Sequence, residues 1–212
     1  LLTETPRGIA GWEIAVAFEP LRGASGDLYD FYVSDNRLRG AFLFDVSGHG
    51  VSSALITMIV KPLVFRIFSR MRDRELDGII ARVNRHLENE FPRLATYLSC
   101  VLLRFSGNSV EYANAGHPDI LHREKGKGAH PVGAGVNGFR GEPLGVNITR
   151  RAPGVIRFRA RKGDILLLYT DGVLEARNRQ KERFGEERLI AAFGEAPGGT
   201  AREALDFIME EV

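Results

Sequence analysis

Cysteine is nearly missing from this chain: Cys100 is the single one in 212 residues. One thiol excludes an intrachain disulfide and a zinc site built on cysteines. It fits a reducing compartment, so a cytoplasmic setting is expected. A surplus of charge is also missing. Lys and Arg number 29 against 27 Asp and Glu, a formal net charge of +2, which excludes a global electrostatic pull toward nucleic acid. No apolar run reads as long enough to span a membrane, and the N-terminus lacks the basic-then-apolar layout of a signal peptide. There is no internal repeat. What remains is ordinary for a soluble globular protein, 44% hydrophobic and 26% charged, with length for one large domain or two small ones. Residues 1–11 (LLTETPRGIAG) read as a linker leaving an upstream domain, and residues 12–212 as the domain itself.

The organising stretch is 41–55, AFLFDVSGHGVSSAL. Ala41, Phe42, Leu43 and Phe44 form a continuous apolar run of strand length, the pattern of a strand covered on both faces. The run stops at Asp45, and Gly48 and Gly50 then permit a tight path into a helical run. A carboxylate at the end of a buried strand costs several kcal/mol or more if left unpaired, on the order of any buried charge, so it needs a cation, a hydrogen-bond cage or water. Capping of the loop or the next helix is the plainer alternative.

Residues 12–18 (WEIAVAF) alternate and then run apolar, as a first strand would. Residues 28–33 and 38–44 are predicted strands joined by the polar turn Ser34-Asp35-Asn36, an antiparallel hairpin that brings Asp27 and Asp45 to the same end. Two carboxylates so placed repel, and oxygen ligands without a His or Cys cluster favour Mg²⁺ or Mn²⁺. Asp30 is either a supporting residue of that end or an exposed one. A helix is predicted over 51–72, kinked or divided at Pro62, and an amphipathic one over 75–90. Strands follow at 97–105, 109–114 and from Ile120, with Cys100 a small core residue. Residues 124–140 read as a mobile surface loop. Arg150, Arg151, Arg157, Arg159 and Arg161 read as a solvated sheet face rather than a nucleic-acid stripe, because no aromatics interleave them. The apolar run 165–169 (ILLLY) ends at Thr170-Asp171-Gly172, repeating the pattern at Asp45. Helices are predicted over 186–193 and after the capping box Thr200-Ala201-Arg202-Glu203. Strand pairs interleaved with helix pairs give one α+β domain with helices on antiparallel sheet.

SGDLYDF (25–31), DVSGHGVSSAL (45–55), NAGHP (114–118), GEPLGV (141–146), KGD (162–164) and YTDGVLEAR (169–177) occur in the order and spacing of one family. The chain resembles the bacterial sigma-factor-regulating branch, typified by stage II sporulation protein E, of the metal-dependent type 2C protein serine/threonine phosphatases. The resemblance implies an antiparallel β-sandwich flanked by helix pairs (α-β-β-α) with two Mn²⁺ or Mg²⁺ ions at one end. It implies that Asp45 bridges the ions, that Asp27 and the Val46 carbonyl join it on one side, and that Asp171 serves the other ion. It implies hydrolysis of phosphoserine or phosphothreonine by a metal-activated water, with a phosphorylated anti-sigma-factor antagonist as the partner. An upstream sensor domain in the same chain and a homodimer are expected on the same ground.

His49 stands where related enzymes outside the branch place a general acid, or it is a turn histidine bonded to backbone. His117 reads as stabilising a hairpin end, and Arg22 as a phosphate contact or a surface residue. The family's later strand with its Asp-Asp pair does not occur before Val212, so the ion near Asp171 is expected to be held weakly. A catalytically weak binding module for the same partner, and a hydrolase of small phosphate compounds, are the competing functions.

Overall fold

The structure is a computed structural model. It describes residues 3–19, 25–48, 50–70, 75–90, 96–146 and 152–212. Strands β1 (Asp27–Ser34) and β2 (Arg37–Val46) form the predicted hairpin. Its two-residue turn, Asp35-Asn36, has φ of 55° at both positions, the left-handed pair that lets a tight turn follow the strand twist. Strands β3 (Leu98–Ser106), β4 (Ser109–Ala115) and β7 (Val155–Arg159) extend this into a five-stranded sheet in the order β1-β2-β3-β4-β7. A second sheet, β6-β5-β8, is built from β5 (Leu121–Arg123), β6 (Ala129–Pro131) and β8 (Ile165–Leu167). All the pairings between these described strands are antiparallel.

Four layers follow from which face each side chain takes. Phe42, Phe44 and Val46 point to the helices α1 (Val51–Arg70) and α2 (Leu76–Glu90), where Val60, Val64, Phe68, Ile79 and Val83 are buried with them. Ala41 and Leu43 point the other way, into an apolar layer shared with Ile120, Phe139, Leu166 and Leu168. That is why β2 carries no polar alternation: both of its faces are covered. Outside the second sheet lie α4 (Gly185–Glu195) and α5 (Ala201–Glu211), which close a third cluster through Leu189, Phe193 and Ile208. The short α3 (Asp171–Glu175) precedes them. The capping box at α5 is present in both directions, Thr200 to Glu203 and back.

Four expectations are corrected. Residues 12–18 form no strand; Trp12 and Ile14 pack on the inter-sheet layer by side chains alone, Trp12 edge-on to Phe105 at 4.8 Å. Alternation there reports burial of one side, not a ladder. The segment 124–140 is ordered, with β6 paired to β5 and Val132 and Phe139 buried. Of the two alternatives expected at Pro62, a kink or a division, the division does not occur: α1 runs 20 residues through the proline. That helix is long and apolar enough to cross a membrane by composition, contrary to the sequence reading, yet its buried face is the core of this fold. Arg157 sits on an exposed sheet face paired with Glu111 and Glu75 at 3.1 and 2.6 Å, as a solvated face requires. Arg150 and Arg151 lie outside the described residues.

Candidate active site

The hairpin register sets Asp27 directly opposite Asp45 at the open end of β1 and β2. Burial pushes the Asp45 carboxyl up to about 6, and the negative charges of Asp171 and then Asp27 push the same way. Burial also raises Asp27; Ser25 opposes it by donating to Oδ2 at 3.2 Å, Asp171 adds to it, and the Thr170 hydroxyl opposes it. Ser25 Oγ in turn accepts from the Asp27 N–H at 3.0 Å, which fixes the first residue of β1. Thr170 occupies the N-cap position of α3 but makes no cap bond with its side chain, and its hydroxyl lies near enough to Asp27 to favour the ionised carboxylate. Asp171 itself is exposed and comes from the far side of the sandwich, three residues past the inter-sheet Leu168. The structure thus brings Asp27, Asp45 and Asp171 into electrostatic reach of one another.

Val46 is placed by a contact that the sequence reading missed. Its N–H donates to the Gly26 carbonyl at 3.2 Å, and a Cβ on Gly26 would stand 2.6 Å from the Val46 carbonyl oxygen. Only glycine lets the two backbones meet so closely beside the carboxylate pair. Gly26→Ala is therefore expected to force the hairpin end apart and cost about 1–3 kcal/mol. Calorimetry should show melting lowered by roughly 2–4 °C for each kcal/mol; an unchanged melting temperature would remove the steric role of Gly26.

His49 and Arg22 lie outside the described residues. Asp30 belongs elsewhere: it is buried on the α1 side, accepting from Thr3 Oγ1 at 2.9 Å with Lys61 Nζ 3.8 Å away. His117 is buried with both ring nitrogens engaged, Nδ1 with Ser99 Oγ at 2.6 Å and Nε2 with the Tyr169 carbonyl at 3.0 Å. Burial pulls it down to about 4, so it is neutral at physiological pH. Asn114 shapes the NAGHP turn by accepting from the His117 N–H at 2.8 Å and donating to its carbonyl at 2.9 Å. No spacing rule points to Ser99 or Thr170; only the sheet register brings Ser99 opposite Asp45.

Among the described residues no three His, Cys, Asp or Glu side chains are gathered tightly enough to hold an ion by themselves. A hard cation of the Mg²⁺ type does not require that, since it is held by one or two carboxylates and keeps several waters. The donors present fit such an ion: they are all oxygen, and a cation would offset both the burial and the like-charge crowding that raise Asp45.

The sequence pattern of the stage II sporulation protein E (SpoIIE) family matches residues 35–212. The chain belongs to that family. Phosphoserine phosphatase RsbP of Bacillus subtilis (strain 168) is 33% identical over 161 residues, which cover 71% of this chain and 37% of that protein. The SiaA-PP2C domain of Pseudomonas aeruginosa has the same fold, with a TM-score of 0.72 at 20% identity over 91% of this chain and 75% of that one. The catalytic domain of the serine/threonine phosphatase PstP, solved in complex with 2 manganese ions, matches with a TM-score of 0.58 at 18% identity over 90% and 86%. This SpoIIE-family chain therefore has the α-β-β-α fold of type 2C phosphatase domains, as its motifs implied. It spans little more than a third of the length of the curated relatives it matches, 37% and 35%.

Proposed function

We propose that the chain is a metal-dependent protein serine/threonine phosphatase whose substrate is a phosphorylated regulatory protein of the anti-sigma-factor-antagonist class. The observation that carries the reading is the Asp27–Asp45 pair, set in register at an open sheet end with Asp171 close enough to raise the Asp45 carboxyl by its charge. Asp27, Asp45, the Val46 carbonyl and Asp171 would hold two divalent cations, Mn²⁺ or Mg²⁺. When bound, such ions supply an activated water and neutralise the phosphoryl oxygens.

The chain's own residues do the rest. Ser25 holds the Asp27 carboxylate, Thr170 favours its ionised form, and Gly26 keeps the Val46 carbonyl beside it. Above about pH 6 Asp45 loses its proton and presents full charge to a cation. His49 would protonate the leaving serine or threonine oxygen. The relative RsbP, a phosphoserine phosphatase by name, supports the substrate class.

Control from an upstream domain, with a homodimer as the assembly, is part of the same proposal. Its support is local: Thr3, near the N-terminus, accepts from Lys61 Nζ of α1 at 2.6 Å and donates to Asp30 of β1. Movement of the N-terminal segment would thereby reach the helix that follows Asp45.

The decisive experiment measures Mn²⁺-dependent phosphate release from a phosphoserine peptide and from a small phosphate ester. Release from the peptide at much the higher kcat/KM supports the proposal. Equal release from both would make the chain a hydrolase of small phosphate compounds. Capture of a phosphoprotein with no release would make it a binding module.

A further inference from the structure

We propose that His117 is a positioning residue for this site: it transmits the register of the five-stranded sheet, through Ser99, to the backbone that carries Asp171. The inference rests on the phosphatase reading above for its functional consequence, but on hydrogen bonds alone for its geometry. Ser99 is the Cα partner of Asp45 across β2 and β3. Its hydroxyl lies 2.6 Å from His117 Nδ1, and His117 Nε2 lies 3.0 Å from the carbonyl of Tyr169, two residues before Asp171. A carbonyl only accepts, so Nε2 must carry the proton; Nδ1 then accepts from the Ser99 O–H. One neutral imidazole thus joins the sheet position beside Asp45 to the approach of Asp171.

The link is stiff at each joint. His117 is 1% exposed, and its main chain is fixed by two bonds to Asn114, itself fully buried. Asn114 Nδ2 also donates to Tyr112 Oη and Asp119 Oδ1, each at 2.9 Å. Gly116, at a φ of 70°, lies beneath Pro143, whose ring atoms stand 2.5 Å from where a Cβ would be, so the turn cannot rise. Tyr169 is held on its other side by its ring, buried in the cluster of α4 and α5. The Tyr169 hydroxyl is buried and makes no hydrogen bond to any described residue, so packing and the carbonyl bond set its place. The residue that follows, Thr170, is near enough to Asp27 to favour its ionised form. Asp171 is exposed and makes no side-chain hydrogen bond to any described residue, so its position depends on the backbone before it. Partners that orient a ligand, without touching the ion, typically contribute about 10–100-fold in affinity or activity.

The test compares wild type with His117→Ala, His117→Gln and Ser99→Ala. In metal-free protein, amide hydrogen exchange at Val173, whose N–H donates to the Thr170 carbonyl at 3.2 Å, should quicken in His117→Ala relative to amides of β3. Calorimetry should show Mn²⁺ bound about 10-fold more weakly, and phosphopeptide kinetics should show a lower kcat with an unchanged KM. Gln, which offers an N–H toward the Tyr169 carbonyl, should recover most of the loss. Ser99→Ala keeps the imidazole and should move every readout the same way by a smaller factor; it stands in if His117→Ala does not fold. Lowered melting with unchanged exchange at Val173, unchanged Mn²⁺ affinity and unchanged kcat would show a purely structural histidine and overturn the proposal. Faster exchange at Val173 in His117→Ala, together with a wild-type chain that hydrolyses nothing, would overturn the phosphatase reading while leaving the positioning link standing. Unchanged exchange in an active enzyme would do the reverse.

Discussion

Asp45→Asn is expected to melt above wild type without metal, below it in saturating Mn²⁺, and to hydrolyse phosphopeptide at least about 1,000-fold more slowly. The first effect comes from the cost of the charge. In the metal-free fold Asp45 is pushed from 3.8 to about 6 by burial, then by Asp171 and Asp27. Below the lower value the carboxyl is protonated in both folded and unfolded chains and costs nothing. Between the two, the unfolded chain has lost the proton while the folded one keeps it, so stability falls as pH rises. Above about 6 the whole penalty is present. A displacement of that size corresponds to about 3 kcal/mol if fully buried. Partial exposure and screening bring it to about 1–2 kcal/mol. Asparagine removes it. Metal reverses the order, because an ion at 100 times its dissociation constant stabilises the wild-type fold by about 2.7 kcal/mol and the variant by far less. Melting curves at pH 5 and 7.5, with and without Mn²⁺, read all of this. The assignment of Asp45 fails if the variant gains as much from Mn²⁺ as wild type does.

Arg123→Met is expected to lower stability by about 3 kcal/mol, since several buried carbonyls lose their donor at once. Arg123 sits on β5, 8% exposed, and burial lowers its guanidinium from the ordinary value. It donates to the carbonyls of Phe193, Gly194, Ala196 and Pro197, the free acceptors where α4 ends, and lies 5.4 Å from the Phe193 ring centre. Methionine matches the stem of arginine but leaves those acceptors dry. For a chain of this length the loss corresponds to roughly 6–12 °C in melting temperature. Because these contacts lie in the outer helical layer, Mn²⁺ affinity measured well below melting should stay at the wild-type value. A shift of less than about 2 °C would mean that water serves those carbonyls as well as arginine does.

What was legible in the residues was local or carried by an ordered set of motifs. The apolar run at Phe42–Phe44 announced a strand covered on both faces, and the short polar turn placed Asp27 and Asp45 at the same end of a hairpin; their direct pairing needed the irregularity between Tyr32 and Val33, which shifts the register by one residue and which no local pattern announced. The capping box at Thr200 needs only its own four residues. The six motifs placed the chain in its fold because their order encodes which strand ends meet. Residues 12–18 misled because alternation records which side is buried and says nothing about a hydrogen-bonded neighbour. The rest depended on contacts between distant parts of the chain. Ser99 meets His117 across 18 residues, His117 meets Tyr169 across 52, and Arg123 reaches Phe193 across 70. Hydrogen-bond partners at such separations leave no periodicity, since each end is constrained only by the surface it meets. The residues alone therefore determined the shared end of the two carboxylates and the family. The tertiary structure decided what holds Asp171 near that pair, because that distance is set by two sheets packed face to face and by one buried histidine between them.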